Sequence, residues 1–302
     1  MKAIRAHGPA AGIDGLVFED APHPHASEND VIVRVRAASF TPGELAWPGT
    51  WHDRAGRDRA PVIPGHEVSG EVAELGLGTT GLTVGQRVFG LTDWTRDGTL
   101  AEYVAVEARN LAPLPASIGH VRGAALPMAG LTAWQALFVH GRLEPGQTVV
   151  IHGAAGGVGS LAVQLARDAG ARVIATGRAA DRETAVRLGA HAFLDLANDP
   201  LTERADVVFD VIGGEVLDRS AALVRPGGAL VTIAAPPRIR PENGRAVFFV
   251  VEPDRAQLAE IARRVTEGRL EPVVGAVRPL AEAAEAFRSR PRTPGKTVIQ
   301  VA

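Results

Sequence analysis

The stretch Val149-Val150-Ile151-His152-Gly153-Ala154-Ala155-Gly156-Gly157-Val158-Gly159-Ser160 decides the fold of this chain. It begins as a short apolar strand, passes through a tight glycine-rich turn and continues into an amphipathic pattern. Compared with the fingerprint G-x-G-x-x-G, Ala154 stands in the place of the first glycine, and Gly156 and Gly159 hold the other two places. A strand, a glycine turn and a helix in this order are typical of a dinucleotide-binding βαβ unit.

The residue types in this turn have a physical reason. Gly156 has no Cβ, so its backbone can approach a pyrophosphate closely, and Gly159 lets the helix pack near the strand. The free N–H groups at the helix start, around Gly157 and Val158, would face the phosphates. A plain structural turn is the alternative. The strand, the helix and a following strand occur in the order of a βαβ unit, however, and this favours nucleotide binding.

Outward from this turn, the two parts of the chain differ in pattern. Residues 157–169 carry apolar positions at helical spacing, and strand-like and helix-like segments alternate from about residue 121 to residue 268. Repeated βα units predict a doubly wound parallel sheet of the Rossmann type. The first third instead contains short strand candidates such as residues 30–37, which predict a small barrel or rolled sheet. The expected fold class is therefore α/β, with an additional β-rich domain.

Composition narrows the functional classes. The chain has 302 residues, a formal net charge of -2 and no cysteine. No basic block supports a nucleic-acid partner, and disulfides or thiolate metal sites cannot form. The longest stretch without Asp, Glu, Lys, Arg or His, residues 123–139, contains glycine and proline and falls short of the ~20 apolar residues that a membrane helix needs. We expect a buried core helix there, no membrane partner and a cytoplasmic location.

The end of the second Rossmann strand bears on the choice of cofactor. NAD-binding units usually carry an acidic residue there, which holds the ribose 2′-hydroxyl. In this chain the strand ends Ala175-Thr176-Gly177-Arg178, without a carboxylate. Thr176 can donate a hydrogen bond and Arg178 can pair with a 2′-phosphate, so the sequence favours NADPH. The alternative is that Arg178 is one of many surface arginines.

The sequence resembles the zinc-independent quinone oxidoreductases of the medium-chain dehydrogenase/reductase superfamily, the group that includes zeta-crystallin. The resemblance covers nearly the whole chain in order. The matching segments are Met1-Lys2-Ala3-Ile4, Ala101-Glu102-Tyr103-Val104, Gly130-Leu131-Thr132-Ala133-Trp134, residues 152–159, Gln164-Leu165-Ala166, Asp210-Val211-Ile212-Gly213-Gly214, Arg225-Pro226-Gly227-Gly228, Ala283-Ala284-Glu285-Ala286-Phe287 and Gly295-Lys296.

This resemblance implies a two-domain organisation. A GroES-like domain would comprise residues 1–120 and be completed by residues 273–302, with a Rossmann domain at residues 121–272. Family members commonly dimerise through the last Rossmann strand, here residues 247–251, an apolar edge that would otherwise invite unwanted pairing. The implied partners are a second copy of the chain and a small quinone or enone.

The resemblance also implies further cofactor contacts. The loop after Asp210 and the turn at residues 234–235 should line the nicotinamide and ribose pocket. Phe248, as part of the substrate pocket, should lie near the nicotinamide end, although core or dimer packing would explain the phenylalanines at 248 and 249 equally well. The residues implied as cofactor contacts are Thr132, Val211, Ile212, Ala234, Ala235, Phe249 and Val250.

Gly65-His66-Glu67 resembles the metal segment of zinc-dependent alcohol dehydrogenases. Those sites also use cysteine ligands, which this chain lacks. We therefore expect no metal, and we expect His66 to be a buried or cleft-wall histidine with a hydrogen-bond partner.

The substrate end departs from the family pattern. Where relatives have an Asn-Pro pair, this chain has Thr41-Pro42, and the Thr41 hydroxyl can still donate one hydrogen bond to a substrate oxygen. Trp47 and Trp51 are candidates for an aromatic wall against a flat ring, with ordinary loop packing as the alternative.

The expected activity is hydride transfer from C4 of NADPH to a quinone or an α,β-unsaturated carbonyl compound, with water or Thr41 as the proton source. Two other functions remain open. One is a zinc-type alcohol dehydrogenase, and the other is a protein that binds NADPH without turnover, as a redox sensor or a structural protein.

Overall fold

The computed structural model describes residues 1–288 and 293–301. Within them, the strands are β1 (Lys2–Ala6), β2 (Leu16–Asp20), β3 (Asp30–Ser39), β4 (Glu67–Leu75), β5 (Arg87–Leu91), β6 (Tyr103–Glu107), β7 (Leu111–Pro113), β8 (Thr148–His152), β9 (Arg172–Gly177), β10 (Ala192–Asp195), β11 (Ala205–Asp210), β12 (Val224–Thr232), β13 (Arg245–Phe248), β14 (Val274–Pro279) and β15 (Lys296–Gln300). The α-helices are α1 (Pro48–Trp51), α2 (His120–Ala124), α3 (Pro127–Trp134), α4 (Gly157–Asp168), α5 (Arg182–Arg187), α6 (Gly214–Ser220), α7 (Arg255–Thr266) and α8 (Ala283–Arg288), and a π-helical segment follows α3 at Gln135–His140.

The chain divides into two compact units. Unit 1 contains Met1–Met128, Pro253–Thr266 and Val274–Ala302, and unit 2 contains Ala129–Glu252 and Glu267–Val273. The division differs from the expected domain boundaries mainly at α7, which belongs to unit 1. Its buried residues Leu258, Ile261 and Val265 recur at helical spacing, so one apolar face of the helix is covered.

Unit 2 is built on a six-stranded parallel sheet in the order β10-β9-β8-β11-β12-β13. With β8 as the first strand, this is the Rossmann order 3-2-1-4-5-6, which reverses direction between β8 and β11. All five residues of β8 are buried, as expected for a strand in the middle of a parallel sheet. The α/β fold class predicted from the sequence is confirmed.

Unit 1 contains the β-rich part of the fold. Its seven-stranded sheet has the order β14-β15-β3-β4-β5-β7, and β6 also pairs with β3. The strand β15 pairs antiparallel with β3, with Val298 opposite Ser39, so the C-terminal segment is part of the N-terminal sheet. A core that includes Ile4, Val33 and Ile299 packs in this unit.

Two predicted elements differ from the structure. The last Rossmann strand, expected at residues 247–251, is found at Arg245–Phe248. The segment after Phe248 leaves the sheet because the side-chain amide of Gln135 holds the backbone of Glu252. Nε2 of Gln135 donates to the Glu252 carbonyl (2.7 Å), and the Glu252 N–H donates to Oε1 of Gln135 (3.0 Å).

The single core helix expected at residues 123–139 is instead the end of α2, then α3 and the π-helical segment. The break falls before Pro127, because proline disfavours a helical conformation in the residue that precedes it. In the part of the chain that the structure describes, no helix is both long and apolar enough to cross a membrane.

Candidate functional site

The glycine turn joins β8 to α4 at the carboxyl edge of the parallel sheet. A Cβ built on Gly159 would lie 2.1 Å from the carbonyl oxygen of Gly153 and 2.8 Å from Cα of Ala154. These distances are too short for any side chain, so Gly159 allows the first turn of α4 to pack on the turn. This is the packing role that the fingerprint assigns to its third glycine.

Gly156 has a different environment. It is the N-cap of α4 and is exposed, and a Cβ built on it would meet only the Gly153 carbonyl oxygen, at 3.3 Å. The N–H groups of Gly157, Val158 and Gly159 lie in the first turn of a helix, where no intrahelical acceptor exists. The turn therefore presents an open backbone surface and free donors, as an anion site requires.

The predicted segment after Asp210 lies against this turn, and the predicted turn at Ala234 lies against that segment. A Cβ built on Gly153 would lie 2.7 Å from Cγ2 of Val211 and 3.4 Å from Cγ1 of Ile212, and one built on Gly213 would lie 2.8 Å from Cβ of Ala234. Ala234 and Ala235 are both exposed. The structure thus brings residues 153–159, 211–213 and 234 together at one edge of the sheet.

Asp210, at the end of β11, holds this arrangement. Its carboxylate is fully buried and accepts the N–H groups of Ile212 and Gly213, each at 3.1 Å. It also accepts the hydroxyl of Thr232, at the end of β12, at 2.9 Å. One side chain therefore fixes the loop after β11 relative to the neighbouring strand.

Thr176 is fully buried, and its hydroxyl lies 2.8 Å from Nδ1 of His152. Nε2 of His152 lies 3.0 Å from the Ser220 hydroxyl, which donates to the Val216 carbonyl at 2.6 Å. Because Ser220 has used its hydrogen, His152 must donate through Nε2 and accept at Nδ1 from Thr176. In this arrangement the Thr176 hydroxyl hydrogen points to Nδ1 of His152, so only the oxygen lone pairs of Thr176 remain for a ligand. Burial lowers the pKa of His152 to about 4, so the ring is neutral.

Arg178 is paired at close range. Its Nε and Nη2 donate to the two carboxylate oxygens of Asp181 at 3.0 and 2.8 Å, and its backbone N–H donates to the same carboxylate at 3.1 Å. A Cβ on Gly177 would lie 3.2 Å from Oδ2 of Asp181, so a carboxylate does lie near the end of β9. The hydrogen bond that Arg178 donates to Asp181 raises the pKa of Arg178, and the Arg178 side chain remains 57% exposed.

The other predicted contacts in unit 2 lie in varied environments. Thr132 is buried in α3, and Phe249 is buried with its ring 4.4 Å from that of His140. Phe248 and Val250 are 40% and 62% exposed. Packing therefore accounts for the position of Phe249, whereas Phe248 and Val250 present apolar surface at the end of the edge strand.

In unit 1, a buried carboxylate links Thr41 to the Gly65-His66 segment. Glu44 accepts the N–H of Thr41 at Oε2 (2.9 Å) and the N–H of Gly65 at Oε1 (2.5 Å). Burial raises the pKa of Glu44 to about 7, although these two N–H groups and the ammonium of Lys296 favour its charged form. Thr41 and residue 65 are therefore held a few ångströms apart.

Glu67 is a second fully buried carboxylate in the same region. It accepts the N–H of Met128 at Oε1 (3.0 Å) and pairs with the ammonium of Lys296 at Oε2. Lys296 also donates to the carbonyl of Phe40 at 3.3 Å. A buried carboxylate with a charged partner and two occupied oxygens is an internal ion pair, which ties β4 to β15.

His66 is buried, and its ring contacts two indoles. Its Nδ1 lies 3.0 Å from the Thr92 hydroxyl, and its ring centroid is 6.0 Å from that of Trp47 and 5.0 Å from that of Trp94. Burial lowers the pKa of His66 to about 3, so the imidazole is neutral. The expected buried histidine with a hydrogen-bond partner is confirmed at Nδ1.

Trp51 is buried and does not form an exposed aromatic surface together with Trp47. It is 5% exposed within the unit 1 core, and its Nε1 donates to the Leu45 carbonyl at 2.8 Å. This placement favours the packing alternative for Trp51. Trp94 instead forms an edge contact with Trp47, with ring centroids 5.5 Å apart.

The side chains that the structure describes around His66 do not form a zinc site. Protein zinc sites use at least three side-chain ligands. Within residues 1–288 and 293–301, no group of three or more His, Asp or Glu residues is arranged to hold a metal ion. The ring neighbours of His66 are indoles, which are not metal ligands, and zinc independence stays a prediction.

The sequence of the chain matches known families over most of its length. Residues 27–116 match the alcohol dehydrogenase GroES-like domain family, and residues 188–299 match the zinc-binding dehydrogenase family. The 2-methylene-furan-3-one reductase of Solanum lycopersicum is 30% identical over 297 residues, which span 91% of this chain and 73% of that protein. The chain belongs to the medium-chain dehydrogenase/reductase superfamily.

Further members of this superfamily that resemble the chain are also oxidoreductases. The chloroplastic NADPH-dependent alkenal/one oxidoreductase of Arabidopsis thaliana is also 30% identical, over 91% of this chain and 73% of that one. The structure of the quinone oxidoreductase from Coxiella burnetii superposes with a TM-score of 0.90 at 27% identity, covering 100% of this chain and 99% of that one. The chain is an oxidoreductase, as the sequence predicts, and a nicotinamide cofactor is common to the superfamily.

The sequence interpretation missed several polar residues that the structure brings into these regions. Glu44 follows Thr41 at the T-x-x-E spacing, in which a glutamate reaches back to a backbone N–H, so a local signal existed. Asp181 follows Arg178 at the same spacing. Trp94 carried no such signal, because its contact with His66 joins two separate loops.

Proposed function

We propose that this oxidoreductase uses NADPH to reduce quinones or α,β-unsaturated carbonyl compounds. The observation that carries the proposal is the meeting of the glycine turn, the 211–213 loop and Ala234 at the carboxyl edge of the parallel sheet. Ligands of open α/β sheets bind at this edge, where the strand order reverses. Named enone and quinone oxidoreductases among the relatives support the substrate class over a non-catalytic NADPH-binding protein.

The residues of unit 2 fit a nicotinamide dinucleotide. Gly156, Gly157 and Val158 would receive the pyrophosphate on the first turn of α4, where an exposed glycine leaves space and three N–H groups lack acceptors. Ala154 would support the turn, because its own N–H donates to the Thr176 carbonyl at 3.0 Å. When bound, the reduced nicotinamide supplies a hydride.

NADPH rather than NADH is supported by Arg178, which is largely exposed and lies directly after β9. Its guanidinium can offer a 2′-phosphate charge-assisted hydrogen bonds. Asp181 opposes this preference, because its carboxylate already pairs with Arg178 and would repel a phosphate. The proposed preference for NADPH therefore depends on the attraction of the 2′-phosphate by Arg178 outweighing its repulsion by Asp181.

The remaining parts of the proposal concern metal and assembly. The chemistry would proceed without zinc, since the chain has no cysteine and the histidine of the zinc-like segment contacts indoles. A homodimer would form through the edge strand β13, which pairs only with β12 in the described sheet and continues into exposed Val250. An uncovered apolar edge favours pairing with a second copy.

The test is NADPH consumption by the purified protein with a panel of quinones, enones, saturated ketones and alcohols. We expect turnover with quinones or enones, and product analysis should show a reduced carbon–carbon double bond or a hydroquinone. Gly156→Val serves as the cofactor-site control. Turnover of saturated ketones or alcohols alone, dependent on added zinc, would support the alcohol dehydrogenase alternative instead.

A further inference from the structure

Two orphaned polar atoms mark one place in unit 1. Among residues 1–288 and 293–301, the buried side-chain nitrogen and oxygen atoms without a hydrogen-bond partner are Nε2 of His66 and Oγ1 of Thr99. Both lie at the Gly65-His66 segment, because Oγ1 of Thr99 would be 2.7 Å from a Cβ on Gly65. A buried polar atom without a partner costs about 1–3 kcal/mol, so two at one place call for an explanation.

The surroundings of His66 are those of a flat-ring site. Trp47, His66 and Trp94 form a cluster of three mutually contacting rings, with centroid distances of 5.0 to 6.0 Å. We call this the aromatic cluster. Both indoles are partly exposed and lie in loops, whereas His66 is buried beside them. Indole faces stack on flat conjugated rings.

We propose that the aromatic cluster receives the conjugated acceptor and that Nε2–H of His66 donates a hydrogen bond to its carbonyl oxygen. This inference rests on the proposed function and assigns it an oxygen-binding residue. Nδ1 of His66 lies 3.0 Å from the Thr92 hydroxyl, and we take Thr92 as the donor in this contact, which places the single ring hydrogen on Nε2. Because Nε2 is buried, neighbouring side chains must move to admit the acceptor.

The chemistry at this atom balances without proton transfer from His66. The acceptor would gain a hydride at its electrophilic carbon, which a bound reduced nicotinamide would supply, and the displaced electron pair would move to the carbonyl oxygen. Nε2–H stabilises the negative charge on that oxygen, and a proton from water completes the product. A neutral imidazole suits this role, and burial keeps His66 neutral at working pH.

The site also connects to Thr41, the residue that the family resemblance places at the substrate end. Glu44 accepts N–H groups from both Thr41 and Gly65, so the backbone next to Thr41 and the backbone next to His66 are held by one carboxylate. Thr41 and His66 therefore belong to the same corner of unit 1.

The test compares His66→Leu, His66→Gln and an exposed control, His52→Leu, in the full chain. We expect His66→Leu to lower kcat/KM for quinones and enones by about 100-fold, as the loss of an oxyanion donor does. NADPH affinity should not change, and the melting temperature should not fall, because an unpaired buried nitrogen has been removed. His66→Gln should recover part of the activity, since its amide places a donor near the Nε2 position.

Several results would contradict the proposed role of His66. Unchanged kinetics in His66→Leu, a lowered melting temperature that accompanies the loss, or a glutamine variant no better than leucine would overturn the inference. So would stoichiometric zinc that is lost with His66. If the wild-type protein reduces no acceptor, the proposed function fails, and indole fluorescence quenching by a benzoquinone then tests the site alone. Weaker quenching in His66→Leu supports the site, and equal quenching overturns it.

Discussion

Asp181 holds the guanidinium of Arg178 through two hydrogen bonds of 3.0 and 2.8 Å, directly after the second Rossmann strand. The residue that we expect to bind the 2′-phosphate is thus already paired with a carboxylate. Because the pair is largely exposed on the arginine side, its own contribution to stability is small. Its effect should appear in the choice of cofactor.

Arg178→Ala should weaken NADPH binding by about 2 kcal/mol, or roughly 30-fold, and leave NADH binding equal or improved. The loss has two causes, the missing phosphate contact and the unpaired charge of Asp181. Asp181→Asn should do the reverse and strengthen NADPH binding. Titrations of both variants with both cofactors measure this. Equal losses for NADPH and NADH in Arg178→Ala would contradict the assignment.

The two fingerprint glycines should respond differently to a side chain. Gly156→Val should abolish NADPH binding and leave the melting temperature nearly unchanged, since a Cβ there meets only one carbonyl oxygen at 3.3 Å. Gly159→Ala should destabilise the fold, because its Cβ would lie 2.1 Å from the Gly153 carbonyl. A cofactor titration paired with a thermal melt separates the effects. Near-normal NADPH affinity in Gly156→Val would show that the pyrophosphate does not approach residue 156.

Metal removal should have no effect. The chain offers no cysteine, and a zinc site needs three protein ligands. We expect activity to survive prolonged chelation and elemental analysis to find no stoichiometric zinc, cobalt or iron. Activity that disappears with the chelator and returns with zinc would refute this, and His66→Ala would then show whether that histidine is a ligand.

Glu44 should make stability depend on pH. Burial raises its pKa from 4.5 to about 7, so the folded state favours the protonated form. The stabilisation is complete below about pH 4.5 and is lost as the pH rises through about 7, with a total near 3 kcal/mol. Urea unfolding of the wild type and Glu44→Gln across this range measures it. The variant should lack this fall, and parallel curves for the two proteins would contradict the pKa shift.

The sequence predicted what depends on local pattern. The glycine turn, the βα alternation and the strand candidates are encoded by neighbours in the chain, and the order of the parallel sheet follows from the fold that they indicate. The direction of the Thr176 hydroxyl was not predictable, because it depends on His152 and Ser220, which lie 24 and 44 residues away along the chain. The contact between His66 and Trp94 likewise depends on how two loops meet, and neither loop has a periodic pattern.

The convergence of residues 153–159, 211–213 and 234 has a consequence for the newly made protein. Residue 159 lies 52 positions before residue 211, and residue 213 lies 21 positions before residue 234, so the three segments meet only when β8, β11 and β12 lie side by side. A chain still on the ribosome therefore cannot hold a dinucleotide until synthesis has passed β12. Afterwards, a ligand that binds only the completed sheet raises the free energy of unfolding of that sheet as a whole. Cofactor supply would then set the lifetime of this protein against proteolysis.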